Sequence, residues 1–442
     1  MDYGTQLLSK ALDDGTLREL TQYRVERADF VTETERKVYD MITEYATTDG
    51  GLPSAELVAS QVPEFGYVAG VTDSARYLAA QLKDVRAKRE LHVLLTSSDL
   101  SENFQRLPAE KFASQLSDAV NSIKLRTGVR NIGVELKSVA ADFDAEYQRR
   151  KTGQSFKRWE SKFAVINTHG GGYYSGNMYT WFGRSGRGKS MMSSIEEALN
   201  VAMQGGRVLV WSLEMSAYEV IARMLSSLSS RFATTGKTLD GESQGIDQQA
   251  LLAGNLDEES ERALDMLFGA YMAQIPGDVV IRGADDPALI TRTVDDLEAD
   301  ILATGADFVV VDPIYLMDFD ANTSRVAGGD VANTSKRLRR MAGRLQTVLV
   351  IVTQADEDAS DKADEDGVRT PKPPARSEVK KSKAILEDSA LLIGFDSADG
   401  AGIIEISKGR NGGEGQRADI VFLPKYGIVK QLTAEQLFSK VF

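Results

Sequence analysis

A glycine-rich stretch at residues 183–190, with the sequence Gly-Arg-Ser-Gly-Arg-Gly-Lys-Ser, constrains the fold of this chain more than any other feature. It matches the pattern G-x-x-x-x-G-K-[ST]. An apolar run at residues 177–182 predicts a strand before it, and residues 191–195 predict a helix after it. In that setting the backbone N–H groups of the loop and the N-terminus of the helix face a bound phosphate chain. Both flanks argue against a chance glycine turn.

Two side chains of residues 183–190, the phosphate loop, have chemical roles. Lys189 can neutralise the β- and γ-phosphates of a nucleoside triphosphate, and the Ser190 hydroxyl can ligate Mg²⁺. We therefore expect ATP and Mg²⁺ as cofactors. The residues expected to hold the phosphates are those of the whole loop: Gly183, Arg184, Ser185, Gly186, Arg187, Gly188, Lys189 and Ser190.

From about residue 161 onward, short apolar runs alternate with helical patterns. Near-continuous Val and Ile runs separated by helices predict a mainly parallel sheet that is covered on both faces. The predicted fold class is therefore α/β, and together with the phosphate loop it resembles a RecA-like P-loop NTPase core. The predicted strands are residues 177–182, 207–211, 279–281, 308–311, 347–352, 391–395 and 403–406.

Polar residues follow three of these strands and are candidates for hydrolytic chemistry. Asp312 ends the fourth run and can hold Mg²⁺ through water, although a plain strand-end turn is the alternative. Glu214 follows the second run and can orient and deprotonate a water, or can simply start a helix. Gln354 ends the fifth run and can sense the γ-phosphate, or can be an ordinary polar strand end.

Two further groups of cations stand apart from the phosphate loop. Lys408 and Arg410 follow a late strand at a turn, where they could reach the phosphates of a neighbouring subunit or could be surface charge. Lys380, Lys381 and Lys383 form a lysine-rich loop that could hold a nucleic-acid backbone without reading its bases. A solvated charged face is the usual alternative for such a run.

The first 125 residues have a helical pattern throughout. Apolar residues recur at helical spacing, and two long patterns at about 73–103 and 108–126 predict a hairpin of helices. We expect an all-α N-terminal domain at 1–125 that packs or oligomerises, a linker with a short helix near 134–147 within 126–160, and an ATPase domain at 161–442.

Composition limits the remaining function classes. The chain has no cysteine, which excludes disulfide frameworks and cysteine zinc sites. It has only two histidines, so sites that need several histidine ligands are excluded as well. No apolar run is long enough to span a bilayer, so we expect no membrane partner and a cytoplasmic location. The net charge of −13 argues against nucleic acid only if the basic residues do not cluster, because screening confines each charge to its surroundings.

The order of these motifs resembles the DnaB family of hexameric replicative helicases. The family segment is recognisable in S-L-E-M-S at residues 212–216, followed by I-A-R-M-L at 221–225. Residues 377–388, S-E-V-K-K-S-K-A-I-L-E-D, stand where the family has S-D-L-R-E-S-G-A-I-E-Q-D. Residues 407–412, S-K-G-R-N-G, are similar to its K-x-R-N-G turn. The phosphate loop departs from the family at residues 185–187, where the family has Pro-Ser-Met.

The resemblance implies a homo-hexameric ring around single-stranded DNA, moving 5′ to 3′, with ATP bound between subunits. It implies that Glu214 is the catalytic base, that Lys408 and Arg410 act on a neighbour's nucleotide, and that Arg223 lies against the adenine. The lysines of the loop would contact the DNA backbone. It also implies a primase or a helicase loader as partners, and the departures suggest a phage-encoded member working in the host cytoplasm.

Two other functions remain open at this point. A RecA-like recombinase would form filaments through a swapped polymerisation strand, whereas this chain has a helical domain in front of its core. An ATP-switched loader or scaffold would hydrolyse slowly and would not respond to single-stranded DNA.

Overall fold

The computed structural model describes residues 2–128, 140–153, 155–321, 329–356, 369–379, 383–433 and 436. By contact density the chain divides into two compact units, Met1–Ala141 and Asp142–Phe442. None of the described helices is long and apolar enough to cross a bilayer.

The first unit is helical. Its core contains Leu8, Val38, Ile42 and Leu78, all fully buried, from helices that present one apolar face. The helices are α1 (Tyr3–Asp14), α2 (Arg18–Gln22), α3 (Glu33–Asp49), α4 (Ala55–Gln61), α5 (Ala75–Leu95), α6 (Ser98–Arg106) and α7 (Ala109–Thr127).

The single helix expected at 73–103 is wrong, because two helices occupy that range. Ser97 caps the second of them, α6, through its Oγ, which accepts a hydrogen bond from the backbone N–H of Leu100 at 3.2 Å. A helix α8 follows at Ala140–Lys151, so the short helix expected near 134–147 ends later than predicted; residues 129–139 lie outside the described part.

The described residues of the second unit form a nine-stranded sheet. In chain order the strands are β1 (Met178–Gly183), β2 (Arg207–Ser212), β3 (Asp278–Arg282), β4 (Phe308–Asp312), β5 (Val348–Gln354), β6 (Leu391–Ala398), β7 (Ala401–Gly409), β8 (Arg417–Leu423) and β9 (Ile428–Gln431). Their spatial order is β9-β8-β7-β6-β1-β5-β4-β2-β3. Strands β1 to β6 are parallel, and β7 to β9 extend the sheet antiparallel beside β6.

Both faces of the parallel part are buried, as the apolar runs predict. On β2, Val208 and Val210 face one core, and Leu209 and Trp211 face the other. The predicted α/β class with a mainly parallel sheet is confirmed. Strands β8 and β9 were not predicted.

Helices of the second unit cover the two faces of the sheet. The helix after the phosphate loop starts as a π-helix (Met191–Glu197) and continues as α9 (Ala198–Met203); with α10 (Ala217–Arg231) it packs on one face. Helices α13 (Val294–Thr304) and α14 (Gly329–Leu345) pack on the other. Among the described residues of this unit the further α-helices include α11 (Gln248–Ala253), α12 (Glu258–Met266) and α15 (Lys383–Asp388).

The carboxyl ends of four adjacent strands meet at one edge of the sheet. Gly183 is in register with Gln354, and Ser212 is in register with Asp312. Ligands of open α/β sheets bind at this edge. The phosphate loop and the polar strand ends singled out in the sequence therefore share one region.

Candidate active site

Close packing requires two of the loop glycines. Gly188 has φ +92°, and a Cβ there would overlap the ring of Phe422 on β8. A Cβ on Gly183 would lie 2.6 Å from the backbone oxygen of Phe395. The antiparallel extension therefore packs against the phosphate loop, a contact that the local motif does not reveal.

Lys189 is buried, with 8% of its surface exposed. Burial lowers the pKa of its ammonium, and the charges of Asp312 and Glu214 oppose that shift. Within the described part of the chain the ammonium forms no ion pair. A buried cation without a partner is costly, and a bound phosphate would compensate it. The site therefore fits a nucleotide.

Asp312 is buried at the carboxyl end of β4. Burial raises the pKa of its carboxyl, and hydrogen bonds from Ser194 and Ser190 together with the charge of Lys189 oppose the shift. Ser194 donates to Oδ2 at 2.6 Å from the helix that follows the phosphate loop. A serine hydroxyl and a carboxylate at this spot suit Mg²⁺, which takes few protein ligands and completes its shell with phosphates and water.

No group of three or more His, Asp or Glu side chains able to hold a metal occurs among the described residues. A Mg²⁺ ion here would consequently use Ser190 and Asp312 beside nucleotide oxygens.

Glu214 lies two residues beyond β2 with an exposed side chain. The N–H of Leu213 donates to the backbone oxygen of Asp312 at 2.7 Å, which holds this strand end beside β4. Gln354 ends β5, and its Oε1 accepts a hydrogen bond from the hydroxyl of Tyr315 at 3.2 Å. Sequence reasoning missed the pairing of Tyr315 with Gln354, since nothing in the local pattern connects the two positions.

Lys408 and Arg410 do not join this group. Lys408 is the next-to-last residue of β7 and Arg410 follows the strand, whose last residue, Gly409, is in register with Leu391 at the start of β6. The Nη1 of Arg410 donates to Oδ1 of Asn177, the residue before β1, at 3.3 Å. Both cations therefore lie at the amino edge of the parallel strands, the edge opposite the phosphate loop.

The ammonium of Lys408 binds carbonyls of its own chain. Nζ donates to the backbone oxygens of Leu386 at 3.0 Å, Glu387 at 2.7 Å and Ser389 at 3.0 Å, at the carboxyl end of α15. This is the end of a helix that favours a cation. Burial lowers the pKa of Lys408, as do the charges of Arg410 and Arg376.

The remaining predicted residues have varied surroundings. Arg223 lies on α10, and its Nε is buried without a hydrogen-bond partner among the described residues. Lys380 and Lys381 lie outside the described residues. Lys383 begins α15, and its side chain lies outside the description as well.

Comparison with known proteins agrees with this arrangement. The family model of the DnaB-like helicase C-terminal domain matches residues 159–428. A probable plasmid replicative DNA helicase of Chlamydia muridarum (strain MoPn / Nigg) is 24% identical over 242 residues, which cover 54% of this chain and 46% of the relative. The chain thus spans about half the length of that relative.

Two solved structures share the fold. A DnaB-like replicative helicase, described together with its interactions with primase, matches with a TM-score of 0.67 and 17% identity, over 98% of this chain and 100% of that one. A second structure, which is an ATPase domain alone, matches with a TM-score of 0.52 and 18% identity, over 68% of this chain and 100% of that one. At these identities the matches establish the RecA-like fold.

The family match covers more than half of the chain and includes the phosphate loop, the polar strand ends and strands β7 and β8 of the antiparallel extension. The chain therefore belongs to the DnaB-like helicase C-terminal domain family.

Proposed function

We propose that this protein is an ATP-dependent replicative DNA helicase that assembles as a homo-hexameric ring, moves 5′ to 3′ on single-stranded DNA and separates the duplex. One observation carries the proposal. The hydrolytic groups gather at one edge of the sheet, while the two cations expected to complete the site lie at the opposite edge. Such a site is complete only between copies of the chain.

Each group at the carboxyl edge has a role in hydrolysis. Lys189 binds the β- and γ-phosphates, while Ser190 and Asp312 would hold Mg²⁺, which would neutralise phosphate charge. Glu214 orients the attacking water and accepts its proton, and its exposed position leaves room for that water. Gln354, held by Tyr315, contacts the γ-phosphate side of the site.

The distance between the edges supports action between subunits. Strand β1 runs from Met178 to Gly183, about 17 Å at ~3.3 Å per residue, so Arg410 beside Asn177 lies far from its own phosphate loop. Arg410 is then the cation that reaches a neighbour's phosphates. Lys408 binds the backbone oxygens at the end of α15 and so holds the turn that presents Arg410. Alternatively, Lys408 releases these oxygens and contacts the neighbour's phosphates together with Arg410.

The nucleic-acid partner is single-stranded DNA, contacted through the backbone by Lys380, Lys381 and Lys383. Arg223 packs against the adenine. The helical unit forms the collar of the ring, and primase and a loader are the expected protein partners. The protein acts in the cytoplasm, that of the host if a phage encodes it.

Strand displacement on forked DNA tests the function. Wild-type protein with ATP and Mg²⁺ should separate a labelled fork whose 5′ tail is free, and Lys189→Ala should not. Particle mass measured with ATP and single-stranded DNA should correspond to six chains. Filaments on DNA, or hydrolysis that DNA leaves unchanged, would instead favour a recombinase or a scaffold.

A further inference from the structure

The phosphate loop of this chain carries two arginines that are tied to one distant segment. Arg184 is buried, with 2% of its surface exposed. Its Nη1 donates to the backbone oxygen of Lys372 at 2.9 Å, and its Nη2 pairs with Oε2 of Glu378 at 2.7 Å. Residues 369–379, to which both partners belong, lead directly into Lys380 in the sequence.

Glu378 is a junction within this segment. Its other carboxylate oxygen accepts the N–H of Ala375 at 3.0 Å, and its backbone oxygen accepts the N–H of Asp356 at 2.9 Å. Asp356 lies two residues beyond the end of β5, and the N–H of Ala355 donates to the oxygen of Gly183 at 3.0 Å. Glu378 therefore contacts three places: the phosphate loop, the residues that follow the end of β5, and the segment that precedes Lys380.

A buried acid on β6 makes a second connection between the segment and the phosphate loop. Asp396, on β6, is fully buried, and its Oδ2 pairs with Arg369 at 2.5 Å and accepts the N–H of Lys372 at 2.7 Å. Its Oδ1 lies 3.9 Å from Nε of Arg187 in the phosphate loop. Residues 369–379 are therefore connected to the phosphate loop near both their first and their last residue.

We propose that Glu378 is a positioning residue that couples the phosphate loop to the DNA-binding loop through its ion pair with Arg184. Charge-assisted bonds between a buried guanidinium and a carboxylate hold a fixed geometry, so a shift of the segment shifts the phosphate loop. This inference rests on the proposed function, because it assumes that single-stranded DNA binds beyond residue 379. It adds a route by which DNA binding changes hydrolysis.

The variant Glu378→Gln removes this bridge selectively. Its amide oxygen can still accept the N–H of Ala375, and the backbone contact with Asp356 is untouched. The amide NH₂ then faces the guanidinium of Arg184, and two donors cannot bond. Glu298→Gln is the matched control, because Glu298 pairs with Arg344 at 2.5 Å and has 23% of its side chain exposed, against 26% for Glu378.

The assay is ATP hydrolysis by the full chain with and without a long oligodeoxythymidylate. In Glu378→Gln we expect hydrolysis without DNA to persist, and the stimulation by DNA to fall at least about fivefold through kcat rather than through KM for ATP. Glu378→Asp, which keeps the charge, should restore part of the stimulation. Glu298→Gln should behave as the wild type.

Three results would overturn the inference. Equal stimulation of Glu378→Gln and the wild type would refute the coupling and leave the proposed function intact. Loss of hydrolysis without DNA in both Glu378 variants, with unchanged unfolding midpoints, would make the residue a support of the catalytic loop only. A wild-type protein whose hydrolysis ignores DNA would refute the coupling and the proposed function together.

Discussion

The buried Lys189 leads to a prediction in which activity and stability move in opposite directions. Its ammonium is 8% exposed and forms no ion pair within the described residues, so without nucleotide only the more distant charges of Asp312 and Glu214 offset its charge. Methionine has a similar length and no charge. A buried charge without a close partner is costly, and even a buried ion pair can often be replaced by well-packed apolar side chains with no change or with a gain of about 1–4 kcal/mol in the free energy of unfolding. We expect Lys189→Met to be more stable than the wild type without nucleotide.

ATP should stabilise the wild type far more than the variant. At 100 times its Kd, ATP stabilises the wild type by about 2.7 kcal/mol. Losing one partner of a buried charge pair costs about 2–5 kcal/mol of binding. At the same ATP concentration the increment for Lys189→Met should then be below about 1 kcal/mol.

Urea unfolding followed by tryptophan fluorescence measures both quantities. The three tryptophans, Trp159, Trp181 and Trp211, all lie in the second unit, so the signal reports on the unit that contains the site. Lys430→Met is the control, because Lys430 is 45% exposed and pairs with Glu242 on the surface. Its stability should change by less than about 0.5 kcal/mol. Lower stability of Lys189→Met without nucleotide, or an undiminished ATP increment, would refute the reasoning.

Three further predictions follow from the same region. Glu214→Gln should bind ATP but hydrolyse it about 10²–10⁴ times more slowly in single-turnover assays, and a normal rate would remove Glu214 as the base. Gly188→Ala should lose ATP affinity in calorimetric titration because its methyl group overlaps Phe422, and undiminished binding would contradict the packing. Burial raises the pKa of Glu197, on the helix after the phosphate loop, to about 7. The folded chain therefore keeps a proton that the unfolded chain releases near pH ~4.3, so the free energy of unfolding should fall as pH rises from about 5 to about 7. Glu197→Gln should flatten this slope, and a rising slope in the wild type would contradict the assignment.

The parallel core is predictable from the sequence because burial on both faces requires continuous apolar strands. The run at 308–311 is an example, since Val309 and Val311 face one core while Phe308 and Val310 face the other. Strands β8 and β9 lack that signal. The residues of β8 alternate between exposed and buried, as expected at the antiparallel side of a sheet, and the charges of Arg417 and Asp419 interrupt its apolar run.

The sequence around Thr96 and Ser97 contains a signal for a helix break, but the longer periodic pattern favours a single helix. Ser97 followed by Ser-Asp is a typical start of a helix, and the structure uses it as a cap. Local capping can end a helix although the apolar spacing continues.

The candidate site likewise contains residues that the sequence predicts and residues that it does not. The phosphate loop and the polar strand ends follow from local sequence, because each stands at a recognisable place in its strand. Glu378 and Ser194 could not be found in that way. The pair Arg184–Glu378 is separated by 194 residues and the pair Ser194–Asp312 by 118 residues, so only the folded sheet brings them together. The role of each site residue stays a prediction until variants are measured.

The central claim is that one subunit's active site is completed by its neighbour. ATP hydrolysis by mixtures of two inactive variants, Lys189→Ala and Arg410→Ala, tests it most directly. In a mixed ring, some interfaces combine an intact phosphate loop from one subunit with an intact Arg410 from the next. We expect the mixture to hydrolyse ATP although neither variant does so alone. A mixture as inactive as its components, in rings shown by mass to contain both variants, would contradict it.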